Sequence, residues 1–168
     1  SVDEGLYKKV MLVNHQMAFE PIVQARAKLI LAPGQRQFVD IRTDIVNTTF
    51  HEFAHGFGAY HEMEVTNPKG HKTTVKQALK ELDSLFEEEK ADTFGMWLLA
   101  FQRQQGWVDE VEVQKRYVSA LMHLVGLFQY SLPGTYTRMV AIQLGHYLDE
   151  SAVTWDPKAG HLEVHFEK

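Results

Sequence analysis

The sequence predicts a mainly helical domain of the α+β class, with short strands at its start and a β-hairpin at its end. Three observations lead there. A helical apolar period begins near Thr43 and recurs in three later segments. Capping residues stand at the starts of those segments. Alternating, β-type runs are confined to the two ends of the chain.

Composition bounds the possibilities. A chain of 168 residues is one domain's worth, long enough for a real core. Hydrophobic residues make up 45% and charged residues 23%, the balance of a soluble globular protein. With a net charge of −5 and no basic stretch, neither nucleic acid nor an anionic membrane is an expected partner. The apolar runs are too short to span a bilayer. There is no cysteine, which excludes disulfides, thiolate metal ligands and cysteine nucleophiles. Nine histidines leave imidazole as an abundant ligand.

Taken in order, Lys8 to Val13 and Ala27 to Leu31 read as short strands joined by a helical segment around Ala18 to Gln24. Pro33-Gly34 is a turn, and Gln37 to Ile41 reads as another short strand. From Thr43 to Phe57 the period becomes helical. Val46, Phe50, Phe53 and Phe57 form a stripe expected to face the core, with Thr43 or Asp44 as cap and Gly56 and Gly58 as the end. Asn67-Pro68-Lys69-Gly70 is a loop. Thr74 and Gln77 fit a capping box that opens a long helix to about Gln104. Asp109 and Glu112 cap the next helix, with Val118, Leu121, Met122, Val125 and Phe128 inward. After a loop from Ser131 to Gly134, Thr135 begins a helix to about Glu150. Val153 to Asp156 and His161 to Phe166 form the terminal hairpin.

Two segments carry chemistry. His51-Glu52-Phe53-Ala54-His55 is an HExxH pattern. On a helix, positions four apart lie about 40° apart around the axis and about 6 Å apart along it. Two imidazoles at that pitch reach one zinc ion, and Glu52 lies beside them as a general base. A catalytic zinc takes three protein ligands and keeps one open position. Two candidates for the third ligand stand open. Gly58 and His61 complete the extended metzincin pattern HExxHxxGxxH. Alternatively Glu88, in Glu87-Glu88-Glu89-Lys90-Ala91-Asp92, supplies a carboxylate, and Asp92 one turn later accepts the free N–H of a ligand histidine. Ala91 and Gly95 are small enough for another backbone to approach the Glu88 face closely.

The segments HEFAHGFG (51–58), KTTVKQALKEL (72–82) and EEEKADTFGMW (87–97) resemble the dipeptidyl peptidase III family, nearest to its bacterial and plant relatives, some of them fused to Nudix domains. Weaker likeness continues through Ala141-Ile142-Gln143 and the terminal hairpin. The resemblance implies a zincin-like helical catalytic domain of gluzincin type. His51, His55 and Glu88 then hold one Zn²⁺, Glu52 is the base, and Glu87 and Asp92 support the ligands. It makes His61 a substrate-side neighbour or an alternative ligand. The sequence departs from the family at three places. It has the five-residue HExxH form of its nearer relatives where the best-known members carry the six-residue HExxGH, His61 falls one residue late, and Tyr136-Thr137-Arg138 stands where relatives carry His-x-Arg. Tyr136 and Arg138 are therefore candidate donors to a developing oxyanion.

The expected function is zinc-dependent peptide hydrolysis. A metzincin-type protease using His61, a zinc-binding remnant without activity and a hydrolase of non-peptide amides stand as alternatives. The chain reads as a single zinc-bearing domain and as a segment of a longer, two-lobe protein. Its expected partners are a peptide substrate and either the remainder of that protein or further copies of itself. Composition fixes no compartment, although a soluble, cytoplasmic location fits it.

Overall fold

The computed structural model describes residues 13–129 and 134–167. Short helices α1 (Val13–Met17) and α2 (Glu20–Ile30) lead through a 3-10 turn, Pro33–Phe38, into α3 (Ile41–Ala54). A small hairpin, β1 (Glu64–Thr66) and β2 (Lys72–Thr74), precedes α4 (Val75–Leu79) and the long α5 (Asp83–Gln104). Helices α6 (Glu110–Gly126) and α7 (Thr135–Asp149) follow. Strands β3 (Val153–Asp156) and β4 (His161–Val164) close the chain as an antiparallel hairpin. The fold is mainly helical with two short strand pairs, as expected.

The expected strands at the start are a different matter. Ala27 to Leu31 is the last turn of α2, not a strand. Val23 and Ala27, one turn apart, are the buried residues of that helix, and the polar Gln24 and Lys28 lie between the apolar positions at helical spacing. Only Leu31 is extended, bridging Leu162 in parallel. Gln37 and Phe38 belong to the 3-10 turn, and Ile41 already opens α3. Residues 8–12 lie outside the described residues, and Val13 begins α1.

The main core packs α2, α6 and the terminal hairpin through Val23, Ala27, Leu31, Val118, Met122 and Leu162. A second cluster joins α5, α6 and α7 through Leu85, Leu124, Met139 and Val140. Val118 and Met122 are fully buried, each contributing about 1.5–3 kcal/mol by leaving water. Asp109 accepts the Glu112 backbone N–H at 2.8 Å and caps α6 as expected, but Phe128 stays exposed beyond its end. A buried side-chain amide closes the fold. Gln35 Nε2 donates to the Val164 carbonyl at 2.7 Å, and Gln35 Oε1 accepts the Val164 N–H at 2.9 Å.

The two helices that carry the candidate site residues differ from their expected form. Asp40, not Thr43 or Asp44, caps α3 by accepting the Arg42 N–H at 2.9 Å. Its buried residues are Ile41, Thr43, Asp44 and Ala54, while Val46, Phe53 and Phe57 are exposed. Three of the four stripe residues therefore face outward, where Phe53 and Phe57 join a row of rings from α5, while Phe50 is half-buried with the Arg116 guanidinium 4.7 Å over its ring. The expected single helix from Thr74 is broken. The Thr74–Gln77 capping box is present, but Lys80 adopts φ 55° and α5 starts afresh at Asp83.

Candidate metal centre

Helices α3 and α5 meet at glycine. A Cβ on Gly95 would lie 3.4 Å from the His51 backbone nitrogen, so the two backbones come within van der Waals reach of a single methyl group. Ala91, one turn earlier, is fully buried. The small residues in the α5 sequence thus bring Glu88 and Asp92 level with the HExxH turn.

Three donors converge there. His51 Nε2 lies 3.2 Å from His55 Nε2 and 3.2 Å from Glu88 Oε2, and His55 Nε2 lies 3.9 Å from that same oxygen. Tetrahedral zinc with ligand bonds near 2.1 Å separates its ligand atoms by about 3.4 Å. The three atoms already have that spacing, so they fit one zinc ion. Their second nitrogens are held in turn. Asp92 accepts from His51 Nδ1, and Glu87 Oε1 lies 3.0 Å from His55 Nδ1. Gln143 on α7 donates to the other Asp92 oxygen at 3.2 Å. Each carboxylate fixes a ring so that its Nε2 lone pair is presented to the centre.

The electrostatics agree. Burial alone disfavours a charged His51, but the hydrogen bonds to Asp92 and Glu88 outweigh it and push its pKa up to about 9. A place that attracts a proton so strongly attracts a metal cation by the same field. Glu87 is also partly desolvated, yet Lys90 and His55 hold its carboxyl below the usual range.

The centre lies in the wall of an open cleft of about 1550 Å³. Glu52 and Tyr136 line this cleft together with the three donors. Arg138 is exposed on α7 and is not among the described residues that line it. His61 stands apart as well: its Nδ1 pairs with the buried Asp83 at 2.8 Å, at the start of α5. The structure also puts Asp44, His123 and Gln143 on the cleft wall, none of them foreseen from sequence. For Asp44 a signal existed, since 44, 48, 51 and 55 follow one helical face. His123 and Gln143 come from other helices, which no local pattern reveals.

Two histidines and a carboxylate held on facing helices, with a glutamate beside them in a cleft, are the donor arrangement of a metal-dependent hydrolase. The fold is that of one part of dipeptidyl peptidase III. The chain is similar to the solved dipeptidyl peptidase III of Caldithrix abyssi, with a TM-score of 0.86 and 30% identity over 96% of this chain and 30% of that one. The enzyme from Corallococcus sp. strain EGB gives 0.84 and 31% identity, over 95% and 29%. In sequence the chain is 33% identical over 144 residues to Nudix hydrolase 3 of Arabidopsis thaliana, covering 85% of this chain but 18% of the plant protein. No family model matches. The chain thus spans under a third of the solved relatives' length and under a fifth of the plant relative's.

Proposed function

We propose that this chain is the zinc-bearing part of a dipeptidyl peptidase III-like metallopeptidase that hydrolyses peptide bonds. The observation that carries the reading is the donor set His51, His55 and Glu88, at tetrahedral spacing within a fold so close to that enzyme. When bound, zinc supplies a water with a pKa lowered toward about 7 and polarises a carbonyl. This chain's residues do the rest. Glu52 takes a proton from the water and passes it to the leaving amine. Asp92 and Glu87 hold the two imidazoles turned with Nε2 toward the centre. Tyr136, which lines the cleft, is the candidate donor to a developing oxyanion, and Arg138, outside the wall, is the weaker candidate for that work.

The plant relative's name points to a different hydrolase. Since 96% of this chain superposes on dipeptidyl peptidase III, the stretch shared with the plant protein falls largely in that fold, and a Nudix activity is not carried over to it. The short span against its relatives favours a second reading, a metal-binding domain that is inactive without further chain. Zinc content and release of amino acids or dipeptides from a peptide panel separate the two. Stoichiometric zinc with hydrolysis that Glu52→Gln lowers at least about 10²-fold supports the first reading. Zinc without hydrolysis supports the second. Hydrolysis undiminished by Glu52→Gln removes the base assignment.

A further inference from the structure

We infer that Lys90 is a positioning residue of the metal centre, a cationic strut that holds Glu87 against His55 while fastening the loop that follows α3. The inference deepens the reading above and rests on it only for the identity of His55 as a metal donor.

Lys90 lies on α5, one turn after Glu87, and its Nζ is 2.8 Å from Glu87 Oε1. That same oxygen is 3.0 Å from His55 Nδ1. The Lys90 Nζ also donates to the Ala59 carbonyl at 2.9 Å. Its stem crosses Gly58, where a Cβ would stand 3.7 Å from the lysine Cδ and where φ is +72°. One ammonium therefore ties three things together: the α5 backbone, the carboxylate behind a ligand histidine and the loop leaving that histidine.

A lysine three residues after a glutamate is commonly a solvated surface pair worth a few tenths of a kcal/mol. Two facts separate this pair from that case. The side chains are only 23% and 15% exposed. The shared carboxylate oxygen is also the acceptor for His55, so its position is the position of the imidazole. His55 stands at the very end of α3, its backbone N–H reaching the His51 carbonyl at 3.3 Å, where a helix frays most readily. The loop beyond it also meets α5 where Phe57 stacks on Phe94 and where His61 pairs with Asp83, but only Lys90 joins it to the carboxylate behind His55. Removing the ammonium frees Glu87 to turn toward water and releases the Ala59 carbonyl, so His55 loses the fixed position of its acceptor.

The test compares Lys90→Met, Lys90→Gln and Lys90→Arg in this chain, with Lys72→Met as a control. Lys72 pairs with Glu64 on the small hairpin and is exposed. Zinc and cobalt affinities are measured by chelator competition, and circular dichroism checks the fold. Lys90→Met and Lys90→Gln are expected to bind metal about tenfold more weakly, while Lys90→Arg and Lys72→Met stay near wild type. Lys90→Gln keeps a donor for Ala59 but no charge, so it isolates the pull on Glu87. The proton on His55 Nδ1, read from ¹⁵N shifts of the apo chain, is expected to be fixed in wild type and Lys90→Arg and mixed with the other tautomer in Lys90→Gln. Folded Lys90→Gln with wild-type metal affinity and an unchanged tautomer overturns the inference. A wild-type chain that binds no metal overturns the proposed function instead, and the tautomer measurement still decides the role of Lys90. Should Lys90→Met fail to fold, Lys90→Gln and Lys90→Arg carry the comparison.

Discussion

The helix pair α3 and α5 has two edges, and they are opposites. On the inner edge His51, His55, Glu88 and Asp92 interlock through charge and hydrogen bonds, beside a cleft. On the outer edge Phe53, Phe57, Phe94, Trp97, Phe101 and Trp107 form a continuous row of ring contacts, with centroids 4.9 to 5.8 Å apart. Trp97 and Trp107 are 55% and 68% exposed, so this row is not a core. Periodicity reports that a helix has an apolar side, but not that this side is the buried one. Here the seam between the helices is set by Ala54, Ala91 and Gly95, which are small enough to bring polar groups together. The larger rings are left to pack on each other, each pair contributing about 0.5–1.5 kcal/mol.

The widest separation between the edges should come from the ligands. Glu88→Ala should lose more than the about 10–100-fold in zinc affinity that an outer partner costs, whereas His61→Ala should leave it near wild type. Competition with a chromogenic chelator reads both, and the reverse order would restore the HExxHxxGxxH geometry. Next is the seam. Gly95→Val should push α5 off His51, destabilise the fold by about 1–3 kcal/mol in urea titrations and weaken zinc binding with it. A variant with wild-type affinity would show that close approach is not what aligns the donors. Asp92→Asn should follow at about 10–100-fold in zinc affinity with the fold intact, since the ring of His51 loses its charged acceptor. The outer edge should give the smallest response. Trp97→Ser should cost about 1 kcal/mol of stability and leave zinc affinity unchanged. Weaker metal binding there would mean that the edges are coupled.

Much of the inner edge was legible in the sequence because its logic is local. HExxH and Glu88-x-x-x-Asp92 are spacings within one helix each, and the capping box at Thr74 and the cap at Asp109 are equally local. That the two segments meet was suggested by Ala91 and Gly95, residues that have no other evident use on that face. What stayed hidden depends on distant partners. Ala27 to Leu31 looks like a strand until Val23 is seen buried one turn before it. The break at Lys80 has no glycine or proline to announce it. His61 fits a ligand pattern, yet the chain after Gly58 carries it to Asp83 instead. The contacts of Lys90 with Glu87 and with the distant Ala59 carbonyl were equally hidden.

The amide of Gln35 spans 129 positions of sequence to clasp the backbone of Val164. During synthesis the chain leaves the ribosome in order, so the segment carrying Gln35 emerges long before its acceptor exists. Helix α2 can pack on α6 as soon as that helix is made, but the Gln35 clasp closes only with the final strand. Helices α3 and α5 lie wholly within that interval, so His51, His55 and Glu88 are all made before the hairpin that closes the fold.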